Sequence, residues 1–199
     1  MIVQPRNVIK EVPLEKAYRL LNVGGTGLVS AAFEGKEDLM PATWVGSLDI
    51  FPFKATAVID KSHFTRELME QSGFFAISLP TLGIIEETMY LGSVSMHDEP
   101  LKVKKSGASI FKFDGYDFPM CQGCAAYMIF KLIPEEHNQK TYDLFIGECV
   151  KAFADERVFA NGHWQFEKAP HELSTIHYVA GSHFYTIGNA YDTKISLED

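Results

Sequence analysis

Two long stretches, residues 125–133 and 142–153, are rich in β-branched and aromatic side chains, and the turn-like Pro134-Glu135-Glu136-His137-Asn138 separates them. Such residues suit a pleated, half-buried surface. Strands joined by so short a link pair antiparallel, because a parallel crossover needs a dozen or more residues. The spacing therefore predicts a long hairpin. The pattern recurs upstream: residues 26–33 read as a strand, 34–38 as a polar turn, and a second apolar run begins at Leu39. Residues 54–60 and 74–79 read as a third and fourth strand, and Tyr178 with residues 184–187 as a last short one. Helical spacing places Leu14, Ala17, Leu20 and Leu21 on one face of residues 14–21, and Asn22-Val23-Gly24-Gly25 ends that run. A second helix is predicted over 64–71, stopped by Ser72-Gly73. Residues 84–91 suit a third, and 93–107 read as a long polar connection. Roughly six to eight strands against two or three helices, mostly linked by short turns, predict a mainly β fold, a β-barrel with peripheral helices. The 199 residues contain no internal repeat or low-complexity linker, so a single domain over 1–199 is expected.

Hydrophobic residues make up 46% and charged residues 22%, the balance of a folded globule. The formal net charge is −8, and the longest basic stretch is Lys102-Val103-Lys104-Lys105. That leaves no electrostatic footprint for nucleic acid or an anionic membrane. No run of eighteen apolar residues occurs, and Met1-Ile2-Val3-Gln4-Pro5-Arg6-Asn7 lacks the apolar core of a signal peptide. Three cysteines without framework spacing fit a reducing, cytoplasmic compartment.

The segment Asp60-Lys61-Ser62-His63-Phe64-Thr65-Arg66-Glu67-Leu68 lies where a strand hands over to a helix. A helix N-terminus presents unpaired N–H groups and partial positive charge, so it suits a phosphate. Lys61 and Arg66 would neutralise the anion, and Ser62 and Thr65 would add hydroxyl donors. The same residues also suit a plain helix start capped by Ser62. Upstream, Met40-Pro41-Ala42-Thr43-Trp44-Val45-Gly46-Ser47 gathers hydroxyls, an indole and a glycine at a strand end. That composition suits a flat aromatic ligand lying against backbone, and equally a core tryptophan before an ordinary turn. Between the two segments, Lys54, Thr56 and Val58 share one strand face and Ala55, Ala57 and Ile59 the other, where small side chains leave room for a planar ring.

Together these segments resemble the flavin reductase-like family with the FMN-binding split barrel, and its flavoredoxin branch most of all. Leu28-Val29-Ser30 is similar to the family's opening strand, and residues 39–47 to the strand and turn that contact flavin. Residues 60–66 with Gly73-Phe74-Phe75-Ala76-Ile77-Ser78-Leu79-Pro80 are similar to its phosphate-binding helix start and following strand. Phe145-Ile146-Gly147-Glu148-Cys149-Val150 is similar to a core strand. The resemblance runs from Leu14 to Glu156. It implies a homodimer with FMN at the subunit interface, its phosphate on Lys61, Ser62, His63, Thr65 and Arg66 and its ring near Thr43, Trp44, Val45, Gly46 and Ser47. Two departures stand out: no asparagine occurs near Met40 or Pro41, and Tyr142-Asp143 stands where relatives often carry a histidine.

In such a protein the cofactor carries the chemistry, taking hydride from NADH or NADPH, and no acid–base dyad is required. Backbone N–H groups from Val45 to Ser47 would stabilise charge on the reduced ring. The resemblance equally accommodates an electron carrier between redox partner proteins. The barrel alone would also suit another phosphorylated or planar ligand, such as haem or pyridoxal phosphate. Cys121-Gln122-Gly123-Cys124 has redox-motif spacing but leads into a strand rather than a helix N-terminus, so structural thiols are expected. His177 and His183 have no metal-ligand spacing, and no metal site is expected. Tyr178, Phe184 and Tyr185 suit either shielding of a ligand or core packing.

Overall fold

The computed structural model describes residues 6–195. A short strand β1 (Ile9–Glu11) leads into helix α1 (Leu14–Leu21), which buries Ala17, Leu20 and Leu21 as its spacing requires. Strands β2 (Gly27–Phe33) and β3 (Lys36–Ala42) form a hairpin about Glu34-Gly35, both at positive φ. β4 (Val45–Asp49), β5 (Lys54–Val58), helix α2 (Phe64–Ser72) and β6 (Phe74–Pro80) follow. Gly73, left-handed at φ 71°, closes α2 with its N–H on the Met69 carbonyl. Helices α3 (Ile85–Ser93) and α4 (Lys102–Lys105) and the short β7 (Ile110–Phe111) and β8 (Met120–Cys121) precede the long strand β9 (Cys124–Ile133). Helix α5 (Glu136–Tyr142) links it to β10 (Leu144–Asp155). The two-residue strands β11 (Phe159–Ala160) and β12 (His163–Trp164) pair with each other, as do β13 (Ile176–Ala180) and β14 (His183–Thr186).

The main sheet runs β3-β2-β6-β9-β10-β5-β4, every neighbour antiparallel, with β1 added alongside β10. Its two edge strands, β3 and β4, are consecutive in the chain and joined by only Thr43 and Trp44. A two-residue link between opposite edges forces the sheet to coil round on itself. The edges meet without a hydrogen-bonded ladder, so the barrel is split at that seam. Gly27 permits the closure: a Cβ there would lie 3.0 Å from Val45 Cγ2 and 3.1 Å from Ile77 Cγ2.

The barrel's core holds Phe53, Phe75, Phe130 and Phe145, with Phe75 and Phe130 stacked at 5.2 Å. Ala55 and Gly147 are cross-strand partners beside them, and a Cβ at Gly147 would come within 2.6 Å of the Phe75 ring. The small face of β5 therefore accommodates these core rings and not a planar ligand, which corrects the sequence expectation for that face. The segment read as a turn at residues 134–138 opens α5 instead. That helix carries an ion pair from Lys140 to Glu136 one turn apart, and left-handed Asp143 caps it by donating its N–H to the Asn138 carbonyl. No helix among the described residues is long and apolar enough to cross a membrane.

Candidate functional site

A cavity of about 690 Å³ opens at the seam of the barrel. The exit of β3 from Met40 to Trp44 forms one wall. Asp60, His63 and Phe64 at the β5–α2 junction form a second, and α3 with residues 94–96 a third. Gly92 lets α3 close down on β3, since a Cβ there would meet Pro41 Cγ at 2.6 Å. The β13–β14 ribbon supplies Tyr178 and Phe184, in edge contact at 5.3 Å. Thr26 fixes that ribbon: its N–H donates to the Ile176 carbonyl at 3.0 Å and its Oγ1 accepts the Tyr178 N–H at 3.0 Å.

The polar floor comes from three elements. Asp38 of β3 is 2% exposed and accepts hydrogen bonds from the Leu39 N–H at 2.8 Å, Thr65 Oγ1 at 2.7 Å and Lys102 Nζ at 2.9 Å. Lys102, also 2% exposed, is the sole Lys or Arg among the described lining residues. The buried member of the 102–105 run thus faces inward, although the run reads in sequence as surface charge. Asp38, Asp60, Asp98 and Asp143 are the carboxylates of the lining.

The residues singled out in the sequence divide into two sets. Thr43, Trp44 and His63 line the cavity, and Trp44 is 73% exposed, so it is no core tryptophan. Val45, Gly46 and Ser47 do not line it. They form edge strand β4, where Val45 packs on the core and Ser47 Oγ lies 3.4 Å from the Tyr18 carbonyl. Lys61 and Ser62 are exposed at the turn before α2. Ser62 does not cap the helix: its N–H and Oγ both donate to Asp60 Oδ1, at 2.8 and 2.7 Å, and the cap position is His63. Those hydrogen bonds from Ser62 hold the Asp60 carboxyl below its ordinary pKa.

Thr65 and Arg66 turn inward, Thr65 onto Asp38 as described. Arg66 donates from Nε to Glu70 at 2.9 Å, from Nη1 to Asp143 and to the Ile59 carbonyl at 3.2 Å, and from Nη2 to the Gln139 carbonyl at 2.8 Å. Its guanidinium also lies over the Phe145 ring at 5.1 Å. Burial opposes its charge, but the bonds to Glu70 and Asp143 outweigh it and the pKa is raised. Arg66 is thereby a strut that joins the β5–α2 junction to the α5–β10 junction. Sequence reasoning missed Asp38, Lys102, Thr88 and Asp143 as cavity residues, since Asp38 ends a polar turn, Lys102 opens a basic run, and Thr88 and Asp143 belong to no motif.

The remaining thiols and imidazoles stand apart from the cavity wall. Burial raises the pKa of Cys124, with Cys121 adding to it, and pushes Cys149 up to about 12, so both stay protonated thiols at neutral pH. His177, its pKa lowered by burial, packs against Gly25.

A split antiparallel barrel with a cavity at its seam, floored by a buried ion pair, is the class of protein that fold and site define. The flavin reductase like domain model matches residues 21–174, and the chain belongs to that family. It is 36% identical over 180 residues to the uncharacterized protein YddH of Escherichia coli K12, covering 89% of this chain and 94% of that one. The crystal structure of an FMN-binding domain of a flavin reductases-like enzyme from Shewanella baltica superposes with a TM-score of 0.92 at 46% identity, over 94% of this chain and 97% of that chain. Flavoredoxin of Desulfovibrio vulgaris has the same fold, with a TM-score of 0.73 at 21% identity over 87% and 91% of the two chains. The family match extends beyond Glu156, where the resemblance read from sequence ends.

Proposed function

We propose that the chain binds FMN in the seam cavity and acts as a flavin reductase, passing hydride from NADH or NADPH to flavin. The observation that carries this reading is the cavity itself: apolar side chains of β3 and α3 in its walls, an exposed indole at its edge and, on its floor, Lys102 paired with Asp38. Such a pocket fits a planar ring bearing one phosphorylated tail. The FMN-binding description of the 46%-identical Shewanella protein supports the same ligand.

Bound there, the flavin would supply the hydride-accepting chemistry. The protein's part is to bind, orient and exclude water. The phosphate would lie at the start of α2, where the first-turn N–H groups and His63 adjoin the Asp38–Lys102 pair, with Lys61 and Ser62 on the outer side of that turn. Thr65 and Arg66 serve this site by holding Asp38 and Asp143 in place. Thr43 and Trp44 would border the ring, with Tyr178 and Phe184 above it.

A homodimer belongs to this reading. Edge strand β4 and the turn after it expose Leu48, Ile50 and Phe51, and Trp44 is exposed at the strand's other end, all on an edge without a paired neighbour. A second copy covering that edge would also close the cavity mouth.

One feature favours a second reading, an electron carrier that takes electrons from a redox partner protein. Asp60 and Asp98 on the cavity wall, in a chain of net charge −8, repel an anionic dinucleotide. Adding NADH or NADPH to the FMN-loaded protein without oxygen separates the two. Rapid bleaching of the flavin absorbance is the reductase result, and an unchanged spectrum is the carrier result.

A further inference from the structure

Beside the seam cavity lies a second hollow of about 730 Å³, a groove open to solvent. Phe64 and Met96 line both spaces, so the two adjoin across those side chains. Leu101, Val103 and Ile110 extend the groove's apolar surface, and Leu101 is 53% exposed. The short helix α4 serves both spaces: Lys102 lines the seam cavity and Lys104 the groove.

The charge of this groove runs against that of the molecule. Lys36, at the start of β3, and Lys104 are both exposed in its lining, and neither has an ion-pair partner among the described residues. The groove's one acidic lining residue, Glu37, is matched by Lys112 at 3.0 Å, and His97 Nε2 lies 3.5 Å from Glu67. A chain of net charge −8 thus keeps two uncompensated cations, from two different elements, around an apolar floor. Asp60 and Asp98, the acids that repel an anion, line the seam cavity and not the groove. Apolar surface for a flat base with free lysines for a phosphate is the chemistry that recognises a nucleotide.

We infer that this groove binds the adenosine end of the reduced dinucleotide, with Lys36 and Lys104 on its 2′-phosphate, so that NADPH is the preferred donor. This rests on the reductase reading proposed above and adds to it the place where the donor is recognised. The nicotinamide enters the seam cavity, and the adenosine lies beyond Phe64 and Met96. The 2′-phosphate is the one group by which NADPH differs from NADH, and a phosphate monoester carries nearly two negative charges at neutral pH.

The test uses the FMN-loaded full chain and the same chain with Lys36→Ala and Lys104→Ala together; both lysines are exposed, so the fold tolerates their loss. Calorimetry titrates 2′,5′-ADP and 5′-AMP, and steady-state rates give KM for NADPH and NADH. The wild type is expected to bind 2′,5′-ADP about tenfold more tightly than 5′-AMP. The double variant loses roughly tenfold in affinity for 2′,5′-ADP and raises KM for NADPH by a similar factor, while KM for NADH moves by less than about twofold. The preference for 2′,5′-ADP shrinks at about 0.5 M salt. Equal wild-type affinities for the two nucleotides, or NADPH and NADH weakened alike by the substitutions, would overturn the assignment. Failure of the reductase reading has a different signature: 2′,5′-ADP binds and depends on the two lysines, but NADPH leaves the flavin absorbance unbleached. The groove then stands as a nucleotide site and hydride transfer falls.

Discussion

Single side chains at this site do work that their position in the sequence disguises. Arg66 has the charge and placement of a phosphate ligand, but five polar and aromatic partners hold it in the wall. Removing it leaves Asp143 and two carbonyls without their donor. Arg66→Ala should therefore destabilise the fold by about 3 kcal/mol, a fall of roughly 6–12 °C in thermal unfolding. Both cations are buried, but Lys102 lines the cavity and Arg66 does not. Replacing it together with its partner, Lys102→Met with Asp38→Asn, removes both charges and avoids stranding one. The expected result is a loss of about tenfold in FMN affinity with riboflavin little changed, since only FMN carries the phosphate. His177 gives a pH dependence. Burial lowers its folded-state pKa below the ordinary 6.5, so the folded state favours the neutral ring. That contribution to stability is present above about pH 6.5 and is lost as pH falls through the folded value. Melting temperatures at pH 7.5 and 5.5 should differ less in His177→Gln than in the wild type.

Elements were far more legible in the sequence than side-chain directions. Hydrophobic period and turn chemistry locate α1, α2, the β2–β3 hairpin and the long β9 and β10 to within a few residues. α5 was hidden because its seven residues are polar and lack a capping serine or a closing glycine, so they read as loop. β4 was hidden because Ser47, Leu48 and Asp49 are all exposed in succession on the edge, which erases the alternation that marks a half-buried strand. That same edge carries the dimer prediction. Phe51 is 68% exposed and Leu48 projects from the same edge region. Leu48→Lys with Phe51→Lys should halve the mass observed by light scattering, while the far-ultraviolet circular dichroism stays as in the wild type.

At the scale of the molecule, function follows from a topological accident. Consecutive strands joined by two residues occupy opposite edges of one sheet, so the sheet must coil into a barrel, and the two edges do not pair. The opening left at that seam is where α2, α3, the start of α4 and the β13–β14 ribbon converge, and α4 supplies its one lysine, Lys102. Of the two segments singled out in the sequence, residues 40–44 and Asp60, His63 and Phe64 line this opening, and the other residues of 39–47 and 60–66 do not. The floor was not legible, since Asp38 and Lys102 are 64 residues apart and meet only through the fold. The direct measurement is the visible spectrum of the protein purified from cells and then mixed with FMN. One flavin per chain, present from purification or taken up on mixing and quenched in fluorescence, is the predicted result. A colourless protein that leaves added FMN free in solution would contradict it.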